Sequence, residues 1–278
     1  MLTKEERERL ERIANQLRID VVEMIGVGMA GHLGGSNSLA EIVSVLYFHK
    51  MKYDPLNPKM AERDRFLLSK GHAAIIQYAA LMEAGYFDKE KYIHTLKQLG
   101  SPLQGHPDML KLPGIEANTG SLGQGVSLGA GMAAGLKLDN NPAKVYVICG
   151  DGELAEGQIW EALMSAANFK LDNLRVIIDR NGLQATGRTV DQFYIGCIEA
   201  KMYSFGFEVM TINGHSIDAI AEALDSADKV KGKPVCIVAD TIKGKGVPFA
   251  EGVAKFHNGA LTQDEYNEAL RALKEAQR

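Results

Sequence analysis

The sequence predicts an α/β protein built on a doubly wound, mostly parallel sheet flanked by helices. Short apolar, β-branched runs alternate with segments of helical length, and glycines stand where several of those runs end. No internal repeat and no linker rich in Pro, Gly or Ser divides the 278 residues, so the chain reads as one domain over 1–278.

The elements follow in order. From Lys4 to about Gly28, Leu10, Ile13, Leu17, Val21 and Met24 recur at helical spacing, and Leu39 to Phe48 reads as a second helix. Five runs then read as buried parallel strands: Arg65 to Ser69, Lys144 to Cys149, Leu174 to Asp179, Phe207 to Ile212 and Pro234 to Asp240. Helical lengths lie between them at Gly125 to Leu138, Glu156 to Phe169, Val190 to Phe205 and Ser216 to Val230. Gly123, Gly125, Gly129, Gly131 and Gly135 crowd the first of these. Glycine costs a helix about 0.5–1 kcal/mol relative to alanine, so that helix is expected to be buried against the sheet or a partner. The tail opens on a capping box, Thr262 with Glu265, and continues as a polar helix carrying Leu270 and Leu273, expected on the outside.

Composition excludes whole classes of function. A formal charge of -4 with 24% charged residues leaves no basic field for nucleic acid. No apolar run approaches the ~18 residues of a membrane span, and "MLTKEERERLERI" lacks the apolar stretch of a signal peptide. A cytoplasmic location without a membrane partner is the expectation. Cys149, Cys197 and Cys236 match no metal or redox spacing and read as buried small hydrophobes.

Two glycine motifs compete for attention. "GVGMAG", Gly26 to Gly31, fits the dinucleotide fingerprint by letter, but it follows a helix where the fingerprint needs a strand. Gly150-Asp151-Gly152 has that strand, which delivers Asp151 to the carboxyl edge of the sheet. Taken alone, the aspartate could equally cap the next helix. The strand "LRVIID" then ends at Arg180-Asn181-Gly182, and a βαβ unit sets Asn181 at the same edge as Asp151. An aspartate oxygen, an asparagine carbonyl and the backbone carbonyl of Leu183 are hard ligands suited to Mg²⁺ or Ca²⁺. One carboxylate and one amide imply a metal that mainly anchors a bound diphosphate.

The segment "GDGELAEGQIWEA" with Asn181 beyond it resembles the thiamine diphosphate signature, and its surroundings resemble transketolase: "GHLGGSNS", "DRFLLSKGHA", "GHPD", "TGSLGQGVSLGAGMA" and "TIKGKGVPFAEGVAKFHNG" occur in order along nearly the whole chain. The resemblance is to the first half of a transketolase, the domain that binds the cofactor's diphosphate. It implies that Asp151, Asn181 and the Leu183 carbonyl hold the metal, while Gly152 and the loop Gly120-Ser121-Leu122 line thiamine diphosphate, Leu122 near its rings. It implies that His72 and His257 reach the diphosphate side, with His257 also facing the substrate, and that His32 and His106 surround the reacting centre of a sugar. Glu156 would join a carboxylate network at the subunit interface. His49, His94 and His215 lie outside these motifs, and Lys243 and Lys245 fit either a solvated loop or an anionic partner. Asn37 departs from the apolar residue usual in its slot, which bears on donor specificity.

Such enzymes draw a glutamate and a pocket for the aminopyrimidine from a following domain, and the sequence ends at Arg278 before one. Either the sequence is a piece of a longer enzyme or the enzyme is naturally split, and the capped tail helix favours the split: an N-terminal subunit, inactive alone, paired with a C-terminal transketolase subunit in an expected α2β2 heterotetramer. Together they would transfer a two-carbon ketol unit from a ketose phosphate to an aldose phosphate, the route of pentose phosphate interconversion. The alternatives are a split transketolase for an unusual sugar, a component of a 2-oxo acid dehydrogenase or deoxyxylulose-phosphate synthase, and a non-catalytic cofactor-binding subunit.

Overall fold

The computed structural model describes residues 2–277, so Met1 and Arg278, the two ends of the expected domain, lie outside the described residues. The chain opens with α1 (Lys4–Ile25), capped by Thr3 and Glu6 in a capping box. Next come α2 (Leu33–Asn37) and α3 (Ala40–Val45), the latter running into a π-helical turn at Leu46–Lys50. The expected helix over Leu39 to Phe48 is thus wound in two pitches. Strand β1 (Arg65–Leu68) follows, then α4 (Ala74–Glu83), the short α5 (Lys89–Tyr92), and α6 (Gln124–Leu138). Strand β2 (Val145–Gly150) leads to α7 (Gly157–Asn168), and β3 (Leu174–Arg180) leads to a small hairpin, β4 (Leu183–Gln184) and β5 (Gly187–Arg188). The chain closes with α8 (Thr189–Gln192), α9 (Ile198–Ser204), β6 (Glu208–Asn213), α10 (Ile217–Lys229), β7 (Val235–Asp240) and α11 (Gln263–Ala276).

Five strands form one parallel sheet in the order β1-β2-β3-β7-β6. Its central strands are buried on both faces, and their alternate residues enter two separate cores. Val145, Val147 and Cys149 of β2 pack with α6 and α7, while Tyr146 and Ile148 pack with α1, α3, α4 and α10. Cys236 and Val238 of β7 join the first of these cores, and Ile237 and Ala239 the second. This is the doubly wound arrangement the alternation predicts.

Two expectations are corrected. The segment Val190 to Phe205 is two short helices joined by an extended stretch, because Gly196 takes a positive φ of 78° and Phe193 is extended. Cys197 sits in that stretch and is exposed, so only Cys149 and Cys236 are buried. The glycine-rich helix packs against the sheet as expected, through the face that carries Gly125, Val126, Gly129, Ala130 and Ala133. A Cβ on Gly125 would fall 2.5 Å from the Ser69 Cα and one on Gly129 2.3 Å from Val147, whereas Gly131 and Gly135 face open space. The tail helix α11 packs on α1 through Ala269 and Leu273, and Asn15 donates to the Leu273 carbonyl. No described helix is long and apolar enough to cross a membrane.

Candidate functional site

Every strand of the β1-β2-β3-β7 group hands the chain to one cleft at its carboxyl edge. Ser69 and Lys70 follow β1, Asp151 follows β2, Asn181 follows β3, and Thr241 to Lys243 follow β7. The register sets Gly150 beside Asp179 and Arg180 beside Asp240, so these residues end on a common line. The cleft holds about 380 Å³ and is lined by Lys70, His72, Leu122, Asp151, Gly152, Glu156, Asn181, Leu183, Lys243 and His257.

On its floor, Asp151 Oδ2 accepts from the Gly182 amide at 2.9 Å and the Thr189 hydroxyl at 3.2 Å. Burial and the nearby Asp179 carboxylate push the Asp151 pKa up. Asn181 Nδ2 donates to Asp179 Oδ2 at 2.9 Å, which turns its Oδ1 the other way, toward the Leu183 amide at 3.1 Å. Asp179 also takes Lys70 Nζ at 2.5 Å and Ser38 Oγ at 2.7 Å, together with the Thr241 hydroxyl. Burial opposes its charge, yet Lys70, Thr241 and Ser38 outweigh it and hold the pKa below the ordinary value.

Sequence reasoning did not single out Asp179, Lys70 or Glu153. Glu153 is buried and accepts from the Gly123 amide at 2.7 Å, the Gly150 amide at 3.0 Å and the Ser69 hydroxyl, tying the loop before α6 to the turn after β2. Glu156, which sequence reasoning did choose, is exposed at the cleft's edge. The signal for Lys70 and Asp179 was available only as position: each ends an apolar strand-like run where a buried strand leaves the sheet.

Four histidines gather at the other side. The His32 ring centroid lies 5.1 Å from that of His72, 5.5 Å from His257 and 6.2 Å from His106, and His72 lies 4.9 Å from His257. Burial, then neighbouring lysines and histidines, lowers their pKa values: His32 to about 3, His72 to about 2, His257 to about 4, with His106 also lowered. All four rings are therefore neutral near pH 7, each with one N–H and one lone pair to offer. His257 Nδ1 is buried without a protein partner. Gly120 has φ 131°, and a Cβ there would meet His106 at 2.4 Å, so the glycine admits the ring. Ser121 beside it is exposed and Leu122 enters the cleft.

Lys243 is buried at 3% exposure and donates to the Leu183 carbonyl at 3.1 Å; burial, reinforced by Lys70, lowers its pKa to about 8. Lys245 instead pairs with Glu251 at 3.3 Å. His215, outside every motif, supports this loop from behind: Nε2 accepts from the Ile242 amide at 2.8 Å and Nδ1 bonds Glu41 at 2.9 Å. "GVGMAG" joins α1 to α2, and its Gly28 and Gly31 amides pair with Leu261 and Gly259, close to His257. Asn37 is fully buried, and neither end of its amide is hydrogen-bonded.

Among the described residues, no group of three or more His, Cys, Asp or Glu side chains could hold a metal. Oxygens of Asp151, Asn181 and Leu183 offer three hard ligands carrying one charge, a set that Mg²⁺ or Ca²⁺ fills out with anion oxygens and water.

The model of the family described as transketolase, thiamine diphosphate binding domain, matches residues 9–274. The chain is 41% identical to an apulose-4-phosphate transketolase subunit of Phocaeicola vulgatus, covering 96% of this chain and 95% of that one. It is 44% identical to the 6-deoxy-6-sulfo-D-fructose transketolase subunit SqwG of Clostridium sp., covering 95% and 96%. Among solved structures, transketolase from Campylobacter jejuni superposes with a TM-score of 0.90 at 36% identity, over 95% of this chain and 42% of that one.

Proposed function

Because the chain belongs to the transketolase family through its thiamine diphosphate-binding domain, we propose that it is the N-terminal subunit of a split transketolase. With a partner chain it transfers a two-carbon ketol unit from a ketose phosphate to an aldose phosphate. The observation that carries this reading is the cleft that Asp151, Asn181 and Leu183 line together with Lys70, Lys243, His72 and His257, with the His32 ring packed beside both histidines.

The residues fit a diphosphate and its divalent ion. Asp151 Oδ2, Asn181 Oδ1 and the Leu183 carbonyl would hold Mg²⁺ or Ca²⁺, with Gly152 leaving room beside them. His72, His257 and the loop Gly120-Ser121-Leu122 would line the cofactor, and Glu156 would meet the partner at the cleft's edge. The orphaned His257 Nδ1 supplies one contact that no protein group takes. When bound, thiamine diphosphate supplies the centre that stabilises negative charge while a bond beside a ketone breaks or forms.

This chain's residues bind, orient and move protons. Neutral His32, His106 and His257 can donate an N–H to a sugar oxygen and take a proton through the other nitrogen without first losing one to solvent. Asp179 fixes the Asn181 amide so that its carbonyl, not its N–H₂, is presented. The partner, expected in an α2β2 assembly, would supply the pyrimidine pocket and the sugar phosphate sites. A cytoplasmic, reducing setting fits three unpaired cysteines.

A second reading is a donor other than the common ketose phosphates. It is favoured by the names of the two relatives above, which specify apulose-4-phosphate and 6-deoxy-6-sulfofructose. The metal assignment is tested by calorimetric titration of the assembled protein with thiamine diphosphate and Mg²⁺. Asp151→Ala is expected to abolish measurable binding; wild-type affinity in that variant would show that the metal sits elsewhere.

A further inference from the structure

Lys243 is held from several directions. Its stem packs against α2, where a Cβ on Gly34 would lie 2.9 Å from the Lys243 Cγ. Its own carbonyl accepts from the Gly252 amide at 2.9 Å, and the next residue, Gly244, donates to the Gly34 carbonyl at 2.9 Å. The ammonium reaches Leu183 across the cleft and donates to its carbonyl at 3.1 Å. Among the described residues no carboxylate lies within ion-pair distance of it, although Lys70 beside it has Asp179. A buried ammonium with three donors and one carbonyl acceptor thus feels Asp179 and Asp151 only from beyond ion-pair distance.

That carbonyl is also the third oxygen of the proposed metal site. A divalent ion on it would stand beside an ammonium in a poorly solvated cleft, and the two cations repel. Lys243 must therefore give up Leu183 when the metal arrives, and it then needs an anion. We propose that Lys243 is a positioning residue that holds the Leu183 carbonyl in place of the metal, and so makes metal binding depend on the arrival of a diphosphate. The inference rests on the metal reading above. Reciprocity follows from linkage: the diphosphate that draws Lys243 away strengthens metal binding by the factor with which metal strengthens diphosphate binding.

The test measures Mn²⁺ binding to the 278-residue chain at neutral pH from the free-ion electron paramagnetic resonance signal, with and without thiamine diphosphate. Lys243→Met removes the competing charge, so Mn²⁺ alone binds more tightly than to wild type, by roughly fivefold or more, the lower end of usual coupling factors. The gain from adding thiamine diphosphate shrinks in the same variant. Lys243→Arg keeps the charge and leaves Mn²⁺ alone binding as weakly as in wild type. A general weakening of the fold would instead lower both affinities, and near-ultraviolet circular dichroism of both variants checks that packing is native. Equal or weaker Mn²⁺ binding by Lys243→Met, with Asp151-dependent binding in wild type, overturns this inference alone. Unchanged Mn²⁺ binding in Asp151→Ala overturns the metal reading and this inference with it.

Discussion

Lys70 and Asp179 form a fully buried ion pair, and Asp179 in turn orients Asn181. Removing one partner of such a pair typically costs about 3–5 kcal/mol, because the other charge is left without compensation. Lys70→Met is therefore expected to lower the urea-unfolding free energy by about that amount; a change within experimental error would mean that Asp179 is satisfied by its hydroxyl and amide donors alone. The histidines make a second claim at this scale. His72 falls from an ordinary 6.5 to about 2 in the fold. Between those values the unfolded chain binds a proton that the folded chain refuses, so the stability associated with His72 is lost as pH drops through 6.5. The stability of wild type relative to His72→Gln should therefore fall between pH ~7 and ~5, with a slope of at most about 1.4 kcal/mol per pH unit. Parallel stability profiles would place the His72 pKa in the ordinary range.

In α6, glycines that look alike in the sequence do different work. Gly125 faces the Ser69 backbone, and Gly135 faces open space. Gly125→Ala is expected to cost about 1–3 kcal/mol by overpacking, while Gly135→Ala should stabilise the isolated chain by about 0.5–1 kcal/mol. Thermal melts of both variants decide it, and shifts of the same sign would contradict the packing described. These elements also show what the sequence made legible. The strands could be read because a buried parallel strand is an unbroken apolar run, as Lys144 to Cys149 is. Helix α4 could not, because residues 74–82 are all buried and no 3.6-residue alternation remains to find. The break at Phe193 to Cys197 was hidden because one left-handed glycine outweighed a helix-like pattern. At the site, residues beside glycine turns announced themselves, whereas the Lys70–Asp179 pair spans 109 positions and exists only in the tertiary structure.

For the whole molecule, the sheet gathers the ends of four strands into one cleft, and the chain spans 42% of a full transketolase while covering 95–96% of two relatives named as transketolase subunits. The proposed division of labour therefore assigns this chain the diphosphate end of the cofactor and gives the pyrimidine end to a partner. The most direct measurement is ketol transfer by this chain co-purified with a C-terminal transketolase subunit from the same source, assayed with thiamine diphosphate, Mg²⁺ and a panel of ketose donors that includes apulose-4-phosphate and 6-deoxy-6-sulfofructose. The expected result is turnover of at least one donor by the assembled pair, its loss in Asp151→Ala, and none by the purified chain alone. Turnover by the chain alone, or no turnover of any donor by the assembled pair, would contradict the split-enzyme assignment.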